Sequence, residues 1–271
     1  MLRVLALPLS LLLLSSCTDP DVSLTYGTEP GLRVQYRLTL EAEITRALGD
    51  GEPQRQTLTA TFRAGQEILE PLADGSTTAS MSLDPVSLVV DGAAQNVGPG
   101  QAFVVTLGDA GEIVSIENAS TGETAEPLEL VGIERLLPRL RPVLPDSRVE
   151  VGDGWTGETS FSDADGTFSL SSSSRLERLG RAQGHDAALI RTTYTSPVDR
   201  REVFANAEAD LVGRDVGAQS AWFALEGFLV EATGDSVGRY RVTFRPPGGD
   251  ATVAPVQGSL VVSLHTEMTL V

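Results

Sequence analysis

Apolar side chains recur at every second residue from Leu32 through Val34, Tyr36, Leu38, Leu40 and Ala42 to Ile44. That period puts them all on one face of an extended strand. The turn-forming run Gly49-Asp50-Gly51-Glu52-Pro53 follows, and Leu58, Ala60 and Phe62 resume the alternation. The pattern predicts a long antiparallel hairpin with one buried face. Thr77-Ala79-Met81-Leu83 and Val86-Leu88-Val90 repeat it, with a break expected at Asp84-Pro85. Phe103-Val105-Leu107 and residues 113–116 flank Gly108-Asp109-Ala110-Gly111, a hairpin loop. At the C-terminus Leu260, Val262, Leu264, Thr266, Met268 and Leu270 alternate strictly, as in a strand paired on both sides.

One stretch changes period. Leu130, Ile133, Leu137 and Leu140 fall three and four apart, the spacing of an amphipathic helix over about 125–140. Glu123 to Pro127 supply a cap, acids and an early proline at its start. Pro138 is expected to end or kink the helix, and Pro142 and Pro145 stop it. A second helix is read over 199–212. The fold class that follows is mainly β: long antiparallel hairpins forming a half-barrel or two packed sheets, with one short amphipathic helix between two strand-rich halves, 31–121 and 148–271. The helix and its proline-rich connector occupy 122–147. A weak internal duplication is conceivable, because each half opens on a glycine-started strand and a long hairpin.

The first residues follow another logic. Met1-Leu2-Arg3 gives a positive start, residues 4–14 form an apolar run, and Leu14-Ser15-Ser16-Cys17 follows. The run is too short to span a bilayer core, which needs about 20 apolar residues. The layout is that of a secretory signal peptide over 1–16. Leu-Ser-Ser-Cys resembles the lipobox of bacterial lipoproteins. The resemblance implies cleavage before Cys17, acylation of its sulfur by palmitate-like chains, and anchoring in the cell envelope. Two or more acyl chains hold firmly, at about 0.8 kcal/mol per buried methylene. Thr18 follows the cysteine where inner-membrane retention favours Asp. By resemblance to proteobacterial sorting, that points to the outer membrane facing the periplasm in a diderm host. Residues 17–30, with Asp19-Pro20-Asp21 and Gly27-Thr28-Glu29-Pro30, read as the lipidated cysteine and a flexible tether.

Composition narrows the partners. The formal net charge is −17, one unit more negative once Arg3 leaves with the signal peptide. Nucleic acid normally requires clustered cations and is excluded as a partner. No lysine occurs, so every fixed cation is an arginine. Cys17 is the sole cysteine, which rules out an internal disulfide framework.

Candidate chemistry is sparse. Gly234-Asp235-Ser236-Val237-Gly238 matches the nucleophile-elbow pattern, and Asp250 and His265 follow in hydrolase order. The elbow needs a helix after it, whereas residues 239–245 alternate like a strand, so the five residues read as a hairpin loop. Asp163-Ala164-Asp165-Gly166 resembles part of a calcium loop but lacks the spaced ligands of a full one and fits an Asp-Gly turn. His185 reads as an exposed loop residue, and two distant histidines make no zinc site. Trp155 and Trp222 read as core-edge plugs before ligand-stacking rings. Asn118-Ala119-Ser120 fits a glycosylation acceptor, discounted in a bacterial-type lipoprotein. No catalytic residue, cofactor site or metal site is assigned.

The succession of long hairpins, Leu-Pro-rich helix and Val149-Glu150-Val151-Gly152-Asp153-Gly154-Trp155 resembles a group of uncharacterised bacterial lipoproteins. The strands-plus-helix plan is similar, at the level of fold, to half-barrel carriers of lipids and lipoproteins of the LolA/LolB and LprG/LppX kinds. The expected function is a non-catalytic, membrane-anchored envelope protein that binds or presents a ligand, a lipid if the strands enclose an apolar cavity. The alternatives are a structural or assembly partner of other envelope proteins and a hydrolase.

Overall fold

The computed structural model describes residues 21–119, 133–163, 166–204, 207–245 and 254–271. Among the described residues, twelve strands and one helix make up the regular structure. The N-terminal half contributes β1 (Arg33–Leu48), β2 (Gln54–Pro71), β3 (Thr77–Val90), the two-residue β4 (Ala93–Ala94), β5 (Gln101–Leu107) and β6 (Ile113–Asn118). The helix α1 (Ile133–Leu140) follows. The C-terminal half contributes β7 (Gly154–Asp163), β8 (Gly166–Ala182), β9 (His185–Phe204), β10 (Ala207–Ala224), β11 (Phe228–Arg245) and β12 (Val256–Leu270).

Every pairing is antiparallel, in the order β6-β5-β3-β2-β1-β12-β11-β10-β9-β8-β7, with β4 beside β3. Each half is an up-and-down meander, and the two join where β1 pairs with β12 from Tyr36↔Leu270 to Leu48↔Gly258. The strand ends β6 and β7 lie side by side, so the single sheet curls into a nearly closed barrel. Of the two expected arrangements, the barrel is the one formed.

Period-2 patterning sets the inside. On β1, Val34, Tyr36, Leu38, Leu40, Ala42 and Ile44 are buried while their neighbours face out. Leu264 and Met268 on β12, Leu58 and Phe62 on β2, and Phe103 and Val105 on β5 point the same way. Each large side chain buried in this way contributes about 1.5–3 kcal/mol.

Three expectations need correction. The described residues among 199–212 are strand and not helix: β9 runs to Phe204 and β10 begins at Ala207. Ala209 and Leu211 are buried at strand spacing, while Val212 is 47% exposed on the other face. The break at Asp84-Pro85 is a register shift inside one continuous strand, β3. Pro85 sits at that irregularity, between the parts of β3 paired to β5 and to β4, where a strand tolerates proline. Pro138 lies inside α1, and the helix runs on to Leu140. The expected helical residues 125–132 lie outside the described residues.

Residues 21–30, expected as a tether, are built into the barrel end. Val22 bridges to Val149, Gly27 N–H donates to the Gly227 carbonyl, and Leu24 is 2% exposed. Tyr26 meets Phe223 edge-on at 5.0 Å and donates its hydroxyl proton to the Pro142 carbonyl at 2.8 Å. Composition rich in Gly, Pro and acids concealed two anchors, the buried Leu24 and Tyr26, the latter held by Pro142 and Phe223 far along the chain.

Candidate functional site

Residues 133–144, in the link from β6 to β7, do not run over the outside. Leu136, Leu137 and Leu140 of α1 are buried, and the helix meets inward side chains from both halves of the sheet. Beyond it, Val143 and Leu144 are also buried, and the Trp155 indole N–H donates to the Val143 carbonyl at 2.7 Å. The segment 133–144 therefore fills the lumen and leaves it at the β6–β7 seam.

The wall facing α1 on β10 and β11 is unlike the rest. Its inward positions are Gly213, Asp215, Gly217 and Gln219 on β10, and Gly234, Ser236 and Gly238 on β11. Glycine weakens a strand, and here it marks close approach. A Cβ at Gly217 would stand 2.4 Å from Tyr194 Cζ and 2.8 Å from the Asp235 carbonyl. One at Gly238 would stand 2.4 Å from Asp215 Oδ1 and closer still to the Tyr240 hydroxyl. The glycines clear space for a polar ring, and Ser172, Ser174, Thr192 and Ser196 are buried on the neighbouring β8 and β9.

Asp215 is the centre of that ring. Its side chain is 3% exposed and accepts from Arg139 of α1 and from the Tyr240 hydroxyl. Burial raises the Tyr240 pKa, and the Asp215 charge beside it adds to the shift, so the phenol stays protonated and donates. Gln219 donates to the Leu140 carbonyl at 2.7 Å, satisfying the end of the helix. Arg135, Arg139, Arg200 and Ser236 border a void of about 20 Å³ here, the room one water needs. Above it Ile44, Ala209, Leu211, Val242, Leu260 and Val262 form a separate apolar cluster.

A second void, of about 40 Å³, lies on the opposite side of α1. Tyr36, Met81, Leu137, Leu229 and Met268 line it, together with Arg141. The larger clefts are at the closed end of the barrel. One of about 620 Å³ is polar and open and lies between residues 110–112 and 143–158.

The sequence candidates fall elsewhere. Ser236 faces the lumen, whereas His265 lies on the outer face opposite Asp235, 2.7 Å from its carboxylate. Serine and histidine thus occupy opposite faces of the sheet, and the pattern Gly234 to Gly238 lies within β11 where a loop was expected. Asp250 and Cys17 lie outside the described residues. Asp163 pairs with Gly166 across the β7–β8 hairpin, and Phe161 stacks on Phe168 at 5.0 Å, as an Asp-Gly turn requires. His185 begins β9 with its ring edge-on to Phe228. Trp155 holds the lumen segment, and Trp222 lies on the outer face beneath the Arg178 guanidinium. Asn118 ends β6. Among the described residues, no three His, Cys, Asp or Glu side chains gather as metal ligands.

The residues that composition did not flag are Asp215, Arg139 and Arg141. The available signal was an aspartate with glycines two residues to either side, Gly213-Arg214-Asp215-Val216-Gly217, inside an alternating run. The intervening residues at 214 and 216 are Arg214 and Val216, and both point outward.

No family model and no curated protein sequence matches the chain. Among solved structures it is similar to DynF from the dynemicin biosynthesis pathway of Micromonospora chersina. The identity is 9%, over 92% of this chain and 84% of that one, with a TM-score of 0.24.

Proposed function

We propose that this protein is exported, acylated on Cys17 and held at the cell envelope, where its barrel binds a ligand in the lumen without catalysing a reaction. The observation that carries the binding half is the wall of β10 and β11. Glycines and a buried carboxylate replace the apolar side chains that would stabilise a barrel best, and such local departures concentrate at functional sites. In the present state the lumen holds the chain's own segment 133–144, and the voids of about 20 and 40 Å³ beside it are too small for a whole lipid. A larger ligand enters only as that segment moves.

The lipobox carries the anchoring half. Asp21 is fixed to Arg148 at 2.6 Å, only four residues after Cys17. Four residues span at most roughly 14 Å, so acyl chains on Cys17 would keep this end of the barrel at the headgroups. The placement of Ser236 and His265 on opposite faces of the sheet supports the non-catalytic reading over a hydrolase built on that pair.

Two measurements test the reading. Intact mass of the cellular protein should show loss of residues 1–16 and diacyl or triacyl mass on Cys17, and Cys17→Ala should abolish membrane fractionation. Native mass spectrometry of the mature chain carrying Cys17→Ser should show a co-purifying small molecule. An unprocessed N-terminus would sink the anchoring; an empty barrel after mild preparation would sink the binding.

A further inference from the structure

A cavity of about 270 Å³ lies at the end of the barrel, between the N-terminal segment 25–28 and the loops that join β2 to β3 and β5 to β6. None of residues 133–144 lines it, so it is separate from the voids beside α1. Strand pairing brings its polar groups together. Thr77 on β3 is the partner of Leu107 on β5, and Gly75 and Asp109 each lie two residues beyond that pair. A Cβ at Gly75 would stand 3.1 Å from Asp109 Oδ1, so the carboxylate reaches across to the neighbouring loop.

Thr77 is the unusual group. Its side chain faces inward and the residue is 4% exposed, yet its hydroxyl has no hydrogen-bond partner among the described residues. Unlike Arg139 Nε, which is sealed inside the fold, the Thr77 oxygen keeps some surface, and that surface is cavity wall. Buried hydroxyls are in the large majority hydrogen-bonded. One that opens on a cavity of this size is completed by something outside the chain.

The charge of the walls selects what that is. Asp109 is the one ionised side chain among the described residues that line the cavity, and it forms no ion pair or hydrogen bond with any of them. Glu112 lays its carboxylate against Gly108 of the same turn and adds to the negative potential. No arginine lines this cavity; Arg141, on the Tyr26 ring, belongs to the void beside α1. Tyr26, Ile68 and Leu107 supply apolar surface. An ammonium offers three donors, and both a carboxylate and a threonine hydroxyl accept. We infer that this cavity is a site for a primary ammonium: its N–H groups held by Asp109 and Thr77, its short hydrocarbon body against Ile68 and Leu107.

A free small amine and the amino head of a phospholipid share this chemistry. Neither the proposed anchoring nor a ligand in the lumen is needed for it. The mature chain carrying Cys17→Ser contains every residue of the site and serves for the test.

Thermal unfolding near neutral pH and at fixed ionic strength compares butylammonium with the neutral 1-butanol, with tetramethylammonium, which has charge but no N–H, and with sodium. Butylammonium at about tenfold excess over Kd should raise Tm by roughly 4 °C, with the other three giving less than about a third of that. Asp109→Asn and Thr77→Val keep the shape of each side chain and should each weaken butylammonium about tenfold or more. Binding to phosphatidylethanolamine vesicles but not to phosphatidylcholine vesicles, lost in Asp109→Asn, identifies the lipid head as the source. A butylammonium shift with no such vesicle preference identifies a free amine. Equal shifts for butylammonium and either 1-butanol or tetramethylammonium overturn the assignment, as does the lack of a saturable shift or a shift unaltered in Asp109→Asn. Asp109 is exposed, so these outcomes stand even if Thr77→Val fails to fold.

Discussion

Arg139 on α1 and Asp215 on β10 form an ion pair inside the barrel, 76 residues apart in sequence, with side chains 10% and 3% exposed. The pair fixes the helix to the glycine-cleared wall at the middle of the lumen. Such a contact positions an element more than it stabilises the whole, because both charges have been taken out of water.

Asp215→Asn should therefore destabilise the fold by about 3–5 kcal/mol, since it leaves the Arg139 charge uncompensated. The double variant Asp215→Leu with Arg139→Met should recover most of that loss. Urea unfolding midpoints of the single and double variants check both statements. Equal destabilisation in the two would mean that packing, and not the lone charge, sets the cost.

Gly217→Ala tests the clearing of the wall. Its methyl group would press on the Tyr194 ring and on the Asp235 carbonyl, which belongs to the backbone and cannot swing away. A loss of about 1–3 kcal/mol is expected from overpacking. Adding Tyr194→Ala removes one of the two obstacles and should not restore full stability. Chemical denaturation reads both.

Leu24→Ala addresses the N-terminal segment. The side chain is 2% exposed within the main core, so its truncation should cost about 2–5 kcal/mol. A flexible tether would give a change near zero, and the unfolding midpoint separates the two outcomes.

His265 gives the expected pH dependence. Its pKa is raised above 6.5, first by the hydrogen bond to Asp235 and further by Glu267. A raised folded value means that the protonated ring stabilises the fold at pH below the unfolded value. That contribution is lost as pH rises through the higher folded value. The urea midpoint should fall between about pH 6 and pH 8, and His265→Gln should flatten that part of the profile. The ring and Asp235 are largely exposed, so the change will be small.

The legible part of this fold is the part stabilised by simple alternation. β1 and β12 were readable because every inward position is apolar or Thr266. β10 was not, because its inward positions 213, 215, 217 and 219 carry two glycines, an acid and an amide, which erase the apolar period. Residues 199–212 read as a helix although Ala209 and Leu211 fall at strand spacing. Leu137 and Leu140 revealed the buried stripe of α1, yet nothing near Arg139 or Arg141 signals their burial. Their partners, Asp215 and Gln66, are 76 and 75 residues away and meet them only once the barrel has formed. The nucleophile-like pentapeptide misled for a related reason: Gly234 and Gly238 make room on a wall, and strand geometry sends Ser236 and Asp235 to opposite sides.

The pairing of the first long strand with the last has a kinetic consequence. β1 ends at Leu48 and β12 begins at Val256, so the ladder that joins the two meanders must wait for nearly the whole chain. Contacts this distant in sequence make assembly slow and leave strand edges open meanwhile. A nascent chain can build hairpins one by one, but it closes its barrel only after β12 has arrived.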